Sequence, residues 1–157
     1  MPEFVHLHNH SDFSLLDGAA SVEGLVAKAK QLKMSALALT DHGNMFGIPK
    51  FYKECRKQAI KPIIGSEFYL APESRLKKSG SEKGMRYHHL VLLAKDITGY
   101  QNLLKLSSLG YTEGFYYKPR VDEELLAKHS SGLIALSACL AGKIPKLILS
   151  KKIEEAE

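Results

Sequence analysis

Histidine recurs at every second position in His6-Leu7-His8-Asn9-His10, and alternate residues of an extended chain project from the same side. Same-side positions lie about 6 to 7 Å apart, so neighbouring imidazoles can converge on one ion above a strand end. Neutral imidazole is the commonest protein metal ligand. Metal binding is therefore the chemistry to expect, and the other ligands must come from elsewhere. Candidates recur along the chain: Asp17, the pair Asp41-His42, Glu67, the pair His88-His89, and Cys139. Imidazole, carboxylate and thiolate make up the zinc ligand set, and a carboxylate such as Glu67 can bridge two ions.

The elements that must position these groups follow a βα rhythm, the pattern of α/β proteins with a mainly parallel sheet. Strands are predicted over residues 4–10, 36–40, 62–70, 89–94 and 133–138. Helices are predicted from Ser21, where Val22, Leu25, Val26, Ala29 and Leu32 form one apolar face, and after Gly43-Asn44, where Ile48, Phe51, Tyr52, Cys55 and Ala59 do the same. Further helices are predicted over 100–109 and 121–128. Residues 73–85 hold Arg75, Lys77, Lys78 and Lys83 without apolar period, and read as a basic loop, either simply solvated or in contact with phosphate. Residues 151–157 look like the opening of a helix with no closing strand after it, so the domain is expected to be incomplete here. In such sheets the strand ends carry function, and each predicted strand places a possible ligand at or near an end.

Each residue also has a plainer role. His6 reads as part of the sheet wall. For His8 and His10 the ligand role is favoured, because the alternative strands two imidazoles side by side. Asp17 precedes a glycine and could shape a turn; Asp41 could bind metal or orient a ligating imidazole from behind. Glu67 lies among Ile63, Ile64, Phe68 and Leu70, where an ionised carboxylate is costly unless paired or metal-bound. His88 and His89 point to opposite faces, and spacing does not choose between them. Cys55 falls on an apolar helix face and reads as inert core. Cys139 is balanced between core residue and thiolate ligand, and His129 reads as a helix-end charge.

Composition sets the class. The chain has 157 residues, 45% hydrophobic and 25% charged, enough for one domain with a core. No apolar run approaches a membrane span, and the start lacks the basic and apolar regions of a signal peptide. Two distant cysteines make no disulfide framework, so a cytoplasmic protein is expected. A formal net charge of +5 favours anionic partners, nucleic acid or phosphorylated substrates among them.

Several segments together resemble the PHP (polymerase and histidinol phosphatase) family. They are Phe4-Val5-His6-Leu7-His8-Asn9-His10-Ser11, Ser14-Leu15-Leu16-Asp17-Gly18, Leu39-Thr40-Asp41-His42-Gly43-Asn44-Met45 and Lys61-Pro62-Ile63-Ile64-Gly65-Ser66-Glu67. Thr98-Gly99-Tyr100-Gln101-Asn102-Leu103 and Gly114-Phe115-Tyr116-Tyr117-Lys118-Pro119-Arg120 bring the likeness closest to the branch found at the amino terminus of bacterial DNA polymerase III alpha subunits. The resemblance implies a distorted (β/α)7 barrel, of which residues 1–157 would hold about the first five βα units. It implies up to three metal ions, zinc with manganese or magnesium as alternatives, and the ligands His8, His10, Asp17, His42, Glu67, His89 and Cys139, with Asp41 behind them. That choice takes His89 over His88 and makes Cys139 a ligand. A later Asp-x-His pair of the family pattern is absent here. The implied activity is metal-assisted phosphodiester hydrolysis as a 3′–5′ exonuclease, with Arg75, Lys77 and Lys78 guiding DNA. The implied partners are DNA, the sliding clamp, the clamp loader and a proofreading subunit. Competing readings are a docking module without catalysis and a free-standing phosphatase.

Overall fold

The computed structural model describes residues 4–78 and 86–157; Lys83 of the basic loop lies outside them. The α/β class is as expected, with eleven elements: α1 (Val22–Gln31), β1 (Ala36–Leu39), α2 (Ile48–Gln58), β2 (Lys61–Leu70), β3 (His88–Ala94), α3 (Ile97–Thr112), β4 (Arg120–Val121), α4 (Glu123–Lys128), β5 (Leu133–Leu136), α5 (Lys143–Leu149) and α6 (Ile153–Ala156). Ser21, Asp96 and Asp122 cap α1, α3 and α4, each accepting from a backbone amide in the first turn. The Asp96 cap starts α3 three residues before the predicted helix. Strand β4 has only two residues and helix α5 starts from Gly142 without a side-chain cap, so neither carries a clear signal in the sequence.

Ten-residue β2 is the spine of the sheet. Its first half pairs in parallel with β1, Ala38 opposite Ile63; its second half pairs with β3 on the other edge; and its last two residues pair with β4. The expectation of a mainly parallel sheet is corrected by β3, which runs antiparallel to both β2 and β5. A parallel neighbour requires a crossover, usually helical, and among the described residues no helix lies between β2 and β3. One reversed strand thus sits within a sheet whose other strands share a direction.

Pleating then sorts side chains. Ile64, Phe68 and Leu70 of β2 and Leu90 and Leu92 of β3 face the helices, packing with Val22, Val26, Phe51, Cys55, Leu103 and Leu106 in the main core. The opposite face carries a small cluster of Ala38, Val91 and Leu93, with Ile63, Leu136 and Ala138. Positions 67 of β2 and 89 of β3 fall on this second face.

The predicted first strand is not a strand. Residues 4–10 run beside β1 in irregular extended form: Ala38 N donates to His6 O at 3.0 Å and Thr40 N to Asn9 O at 2.9 Å. Asn9 replaces the missing rungs, its side chain donating to Ala38 O and its backbone N to Thr40 Oγ1. Side chains have taken over a ladder's work, which leaves His8 and His10 free to converge.

The largest fully buried side chain is Arg120. Its guanidinium donates to the carbonyls of Gly114, Arg75, Lys77 and, at 3.4 Å, Arg86, and packs 5.1 Å from the Tyr116 ring. It ties two connections, β2–β3 and α3–β4, to β4. Arg120→Leu strands those carbonyls, and at about 1 to 3 kcal/mol for each group left unpaired the net loss of unfolding free energy is expected to be about 3 kcal/mol. Urea denaturation reads this directly, and a midpoint like that of the unaltered chain would remove Arg120 from the role.

Candidate metal centre

Glu67 lies within the buried second half of β2, its side chain 1% exposed. A carboxylate so buried must be paired, and imidazoles surround it. His8 Nε2 lies 3.0 Å and His10 Nε2 3.2 Å from Oε2, His42 Nδ1 3.1 Å from the same oxygen, and His89 Nδ1 2.8 Å from Oε1. The two oxygens thus face different partners. Burial alone would raise the Glu67 carboxyl, but contacts from His10, His8 and His89 outweigh it and hold the group far below the usual carboxylate range. Burial lowers His10 too, yet Glu67 reverses the direction and raises it; His42 stays lowered by burial and by His10.

Four elements converge here for local reasons. The backbone of residues 41–43 bridges to Glu67 in parallel register, Gly43 N donating to Glu67 O and Glu67 N to Asp41 O. Gly43 has φ +64°, and a Cβ there would meet the Tyr69 ring at 2.7 Å, so only glycine lets His42 turn in. Because β3 is reversed, His89 at its amino end arrives beside the carboxyl half of β2. His88 points elsewhere, its imidazole lowered by burial and by Lys146 and Lys143.

Asp41 touches no imidazole. Buried, it accepts from Ser11 N at 2.6 Å, Ser11 Oγ at 2.8 Å and Ser14 Oγ at 2.8 Å, while Ser14 Oγ in turn accepts from His42 N. It therefore fixes the turn after His10 instead of orienting a ring directly. Asp17 sits at the mouth, more than half exposed, 2.9 Å from His42 Nε2. Gly18 holds it there, because a Cβ would lie 1.7 Å from Ser11 O. Cys139 is exposed, with Sγ 3.7 Å from His89 Nδ1. His6 is exposed and packs edge-on against Phe4, not into a sheet wall. Cys55 is buried in the core, as read from its helix face, and burial pushes its thiol up to about 12.

The arrangement suits cations. Two sets of ligand atoms lie within 4.8 Å of one another, His8 with His10 and Glu67, and His42 with Glu67 and His89. Ligand atoms about 2 Å from one zinc ion sit about 3 to 4 Å apart. Glu67 belongs to both sets and so is placed to bridge. Moreover, His10 Nδ1 and His42 Nδ1 are buried without a hydrogen bond, the latter near Glu67 but poorly aligned.

The basic loop behaves differently. Arg75 donates to Glu113 and Asp122 at 2.7 to 3.1 Å, with 12% of its side chain exposed, so it is a structural ion pair and not a free DNA contact. Lys77 pairs with Glu73, and Lys78 donates to the Glu113 carbonyl. Sequence reasoning also missed Tyr69, whose ring stacks 6.1 Å from His42 and lies edge-on to His89 at 5.3 Å. Its place two residues after Glu67, on the same face, was the available signal.

The PHP domain family matches residues 6–157. The chain belongs to the PHP family. It is 60% identical to the DNA polymerase III subunit alpha of Treponema pallidum over 98% of its length, and 56% identical to that of Borreliella burgdorferi over 98%. The Thermus aquaticus subunit is 52% identical over 99%. In each case this PHP chain spans 13% of the relative's length. Two solved structures are also similar. One is described as a putative metal-dependent phosphoesterase from Bifidobacterium adolescentis (TM-score 0.49, 17% identity, 69% of this chain and 33% of that one). The other is an amidohydrolase from Chromobacterium violaceum (TM-score 0.48, 23% identity, 68% and 33%).

If Glu67 bridges, Glu67→Gln weakens zinc binding by more than about tenfold and lowers the number of ions bound per chain. Isothermal titration with zinc measures both, and unchanged affinity and stoichiometry would exclude the bridge.

Proposed function

We propose that this chain is the amino-terminal portion of the PHP domain of a DNA polymerase III alpha subunit, and that its histidine cluster is a multinuclear metal site for phosphodiester hydrolysis, removing nucleotides from the 3′ end of DNA. The parent protein is then a cytoplasmic DNA-directed DNA polymerase working with the sliding clamp, the clamp loader and a proofreading subunit. The observation that carries the reading is the buried Glu67 carboxylate with four imidazoles around it. A scaffold needs none of these groups. The relatives, DNA polymerase III alpha subunits, support the substrate class, and among the described residues no helix is long and apolar enough to cross a membrane.

His8, His10 and Glu67 would hold one cation, and Glu67, His42 and His89 a second; Asp17 and Cys139 stand at the edge of the cluster, within reach of a further one. Divalent cations in such a site supply positive charge against the phosphate and lower the pKa of water. The protein's part is positional. Glu67 fixes the spacing of the two halves, and Asp41 locks the turn carrying His10 through Ser11 and Ser14. Tyr69 walls off His42 and His89, and burial keeps its phenol protonated.

In the full-length subunit carrying this chain, His10→Ala should reduce cleavage of a 3′-labelled single strand by at least about a hundredfold and leave primer extension near its normal rate. Residual cleavage equal to that of the unaltered subunit would reject the site.

A further inference from the structure

Beside the histidine cluster lies a cavity of about 630 Å³, with Asp17, His42 and His89 among its lining residues. Much of the remaining wall is aromatic. Phe46 precedes α2, Tyr111 lies in the last turn of α3 and Phe115 follows that helix, yet they form a row with 6.3 Å between successive ring centroids. Tyr117 continues the wall. These four rings are 67%, 40%, 51% and 60% exposed. Aromatic residues drawn together from separate elements and left in water mark a binding surface. Tyr117 also adopts φ +62°, a backbone state that side chains of its size rarely take, and its ring meets that of Tyr116 edge-on at 4.7 Å.

The polar groups narrow the occupant. The Arg86 guanidinium sits 3.9 Å over the Tyr117 ring and Lys118 Nζ 5.4 Å from the Tyr69 ring. Among the described residues Asp17 is the one carboxylate in the cavity lining, and it is already engaged by His42. Flat apolar faces next to cations, with little negative charge between, match a planar base joined to a phosphate. An apolar peptide would have no use for the cations. A base inside a duplex has its faces covered by stacking and cannot reach the rings.

We propose that this cleft binds the unpaired terminal nucleotides of single-stranded DNA, with bases stacked on Phe115 and Tyr117, so that the terminal phosphodiester is delivered to the histidine cluster. The proposal rests on the hydrolytic reading above and deepens it: the site selects ends that are already unpaired. Selection then comes from stacking, which is tolerant of base identity.

The test separates docking from hydrolysis. The chain is titrated, in chelator, into a short oligodeoxythymidine bearing 2-aminopurine at its 3′ end. Binding should quench the fluorophore; Phe115→Leu and Tyr117→Leu should each weaken binding about tenfold, and Phe115→Tyr, which keeps a stacking ring, should restore it. A blunt duplex and an oligonucleotide with an abasic 3′ end should bind more weakly than the intact strand. Equal binding by the leucine variants, or by the abasic strand, would assign the interaction to backbone charge and overturn the proposal. Because no cleavage is read, loss of the metal reading leaves the quench in place. A protein that hydrolyses DNA without any quench overturns the cleft alone.

Discussion

A carboxylate cannot remain ionised inside a protein unless positive charge or hydrogen-bond donors surround it, and the architecture of this domain is organised around meeting that condition for Glu67. The residue sits on the central strand, where both edges are covered: residues 41–43 and then β4 on one side, β3 on the other. No solvent reaches it from within the sheet plane. Its partners must therefore come from above the second face, and they do, from residues 8–10, from His42 and from His89. The same requirement explains the sparse packing of that face. A full apolar layer like the one under the helices would displace the imidazoles, whereas the small cluster of Ala38, Val91 and Leu93 leaves room for them.

The reversal of β3 matters more to the site than to the core. In a sheet of parallel strands, a residue at the start of a strand lies at the opposite end from the functional loops. His89 starts its strand and still reaches Glu67, because β3 runs the other way and pairs Tyr69 with His89. Cys139 reaches the same place by the ordinary route, following the carboxyl end of β5, which shares the direction of β2. Two residues fifty positions apart meet because one strand is reversed and the next is not.

These facts divide what was legible from what was not. The ligand-type residues could be read because their chemistry is stated by type and spacing: alternate histidines, a carboxylate in an apolar run, a histidine before a glycine. Helices with clear caps and apolar periods could be read for the same reason. Strand direction was misjudged although a sign was there: residues 73–85, between the third and fourth predicted strands, carry no apolar period and so offer no crossover helix for a parallel neighbour. The first strand was misjudged because Asn9 and Thr40 make side-chain bonds that replace ladder rungs, and local pattern does not reveal a rung's donor. Arg75 was misjudged because Glu113 and Asp122 lie some forty residues away, and a cation's partner cannot be found from its neighbours in sequence. Asp41 bonds to two serines on a preceding turn, a route that depends on how that turn folds and that spacing does not reveal.

The fate of Arg75 also bears on how an anionic substrate would be held. A formal net charge of +5 suggests broad electrostatic attraction, but the cations of the basic loop nearest the site are engaged: Arg75 by two carboxylates, Lys77 by Glu73 and Lys78 by a backbone carbonyl. Arg120, more buried still, is bound to backbone carbonyls of the same region. Arg75 and Arg120 are built into the wall, whereas Lys77 and Lys78 remain exposed with their ammonium groups engaged. Beside the cavity, the cations among the described residues are Arg86 and Lys118, and both are seated against tyrosine rings. Charge and aromatic surface are thus presented together, so a ligand on the side of the domain next to the histidine cluster would be held more by flat contact than by long-range attraction.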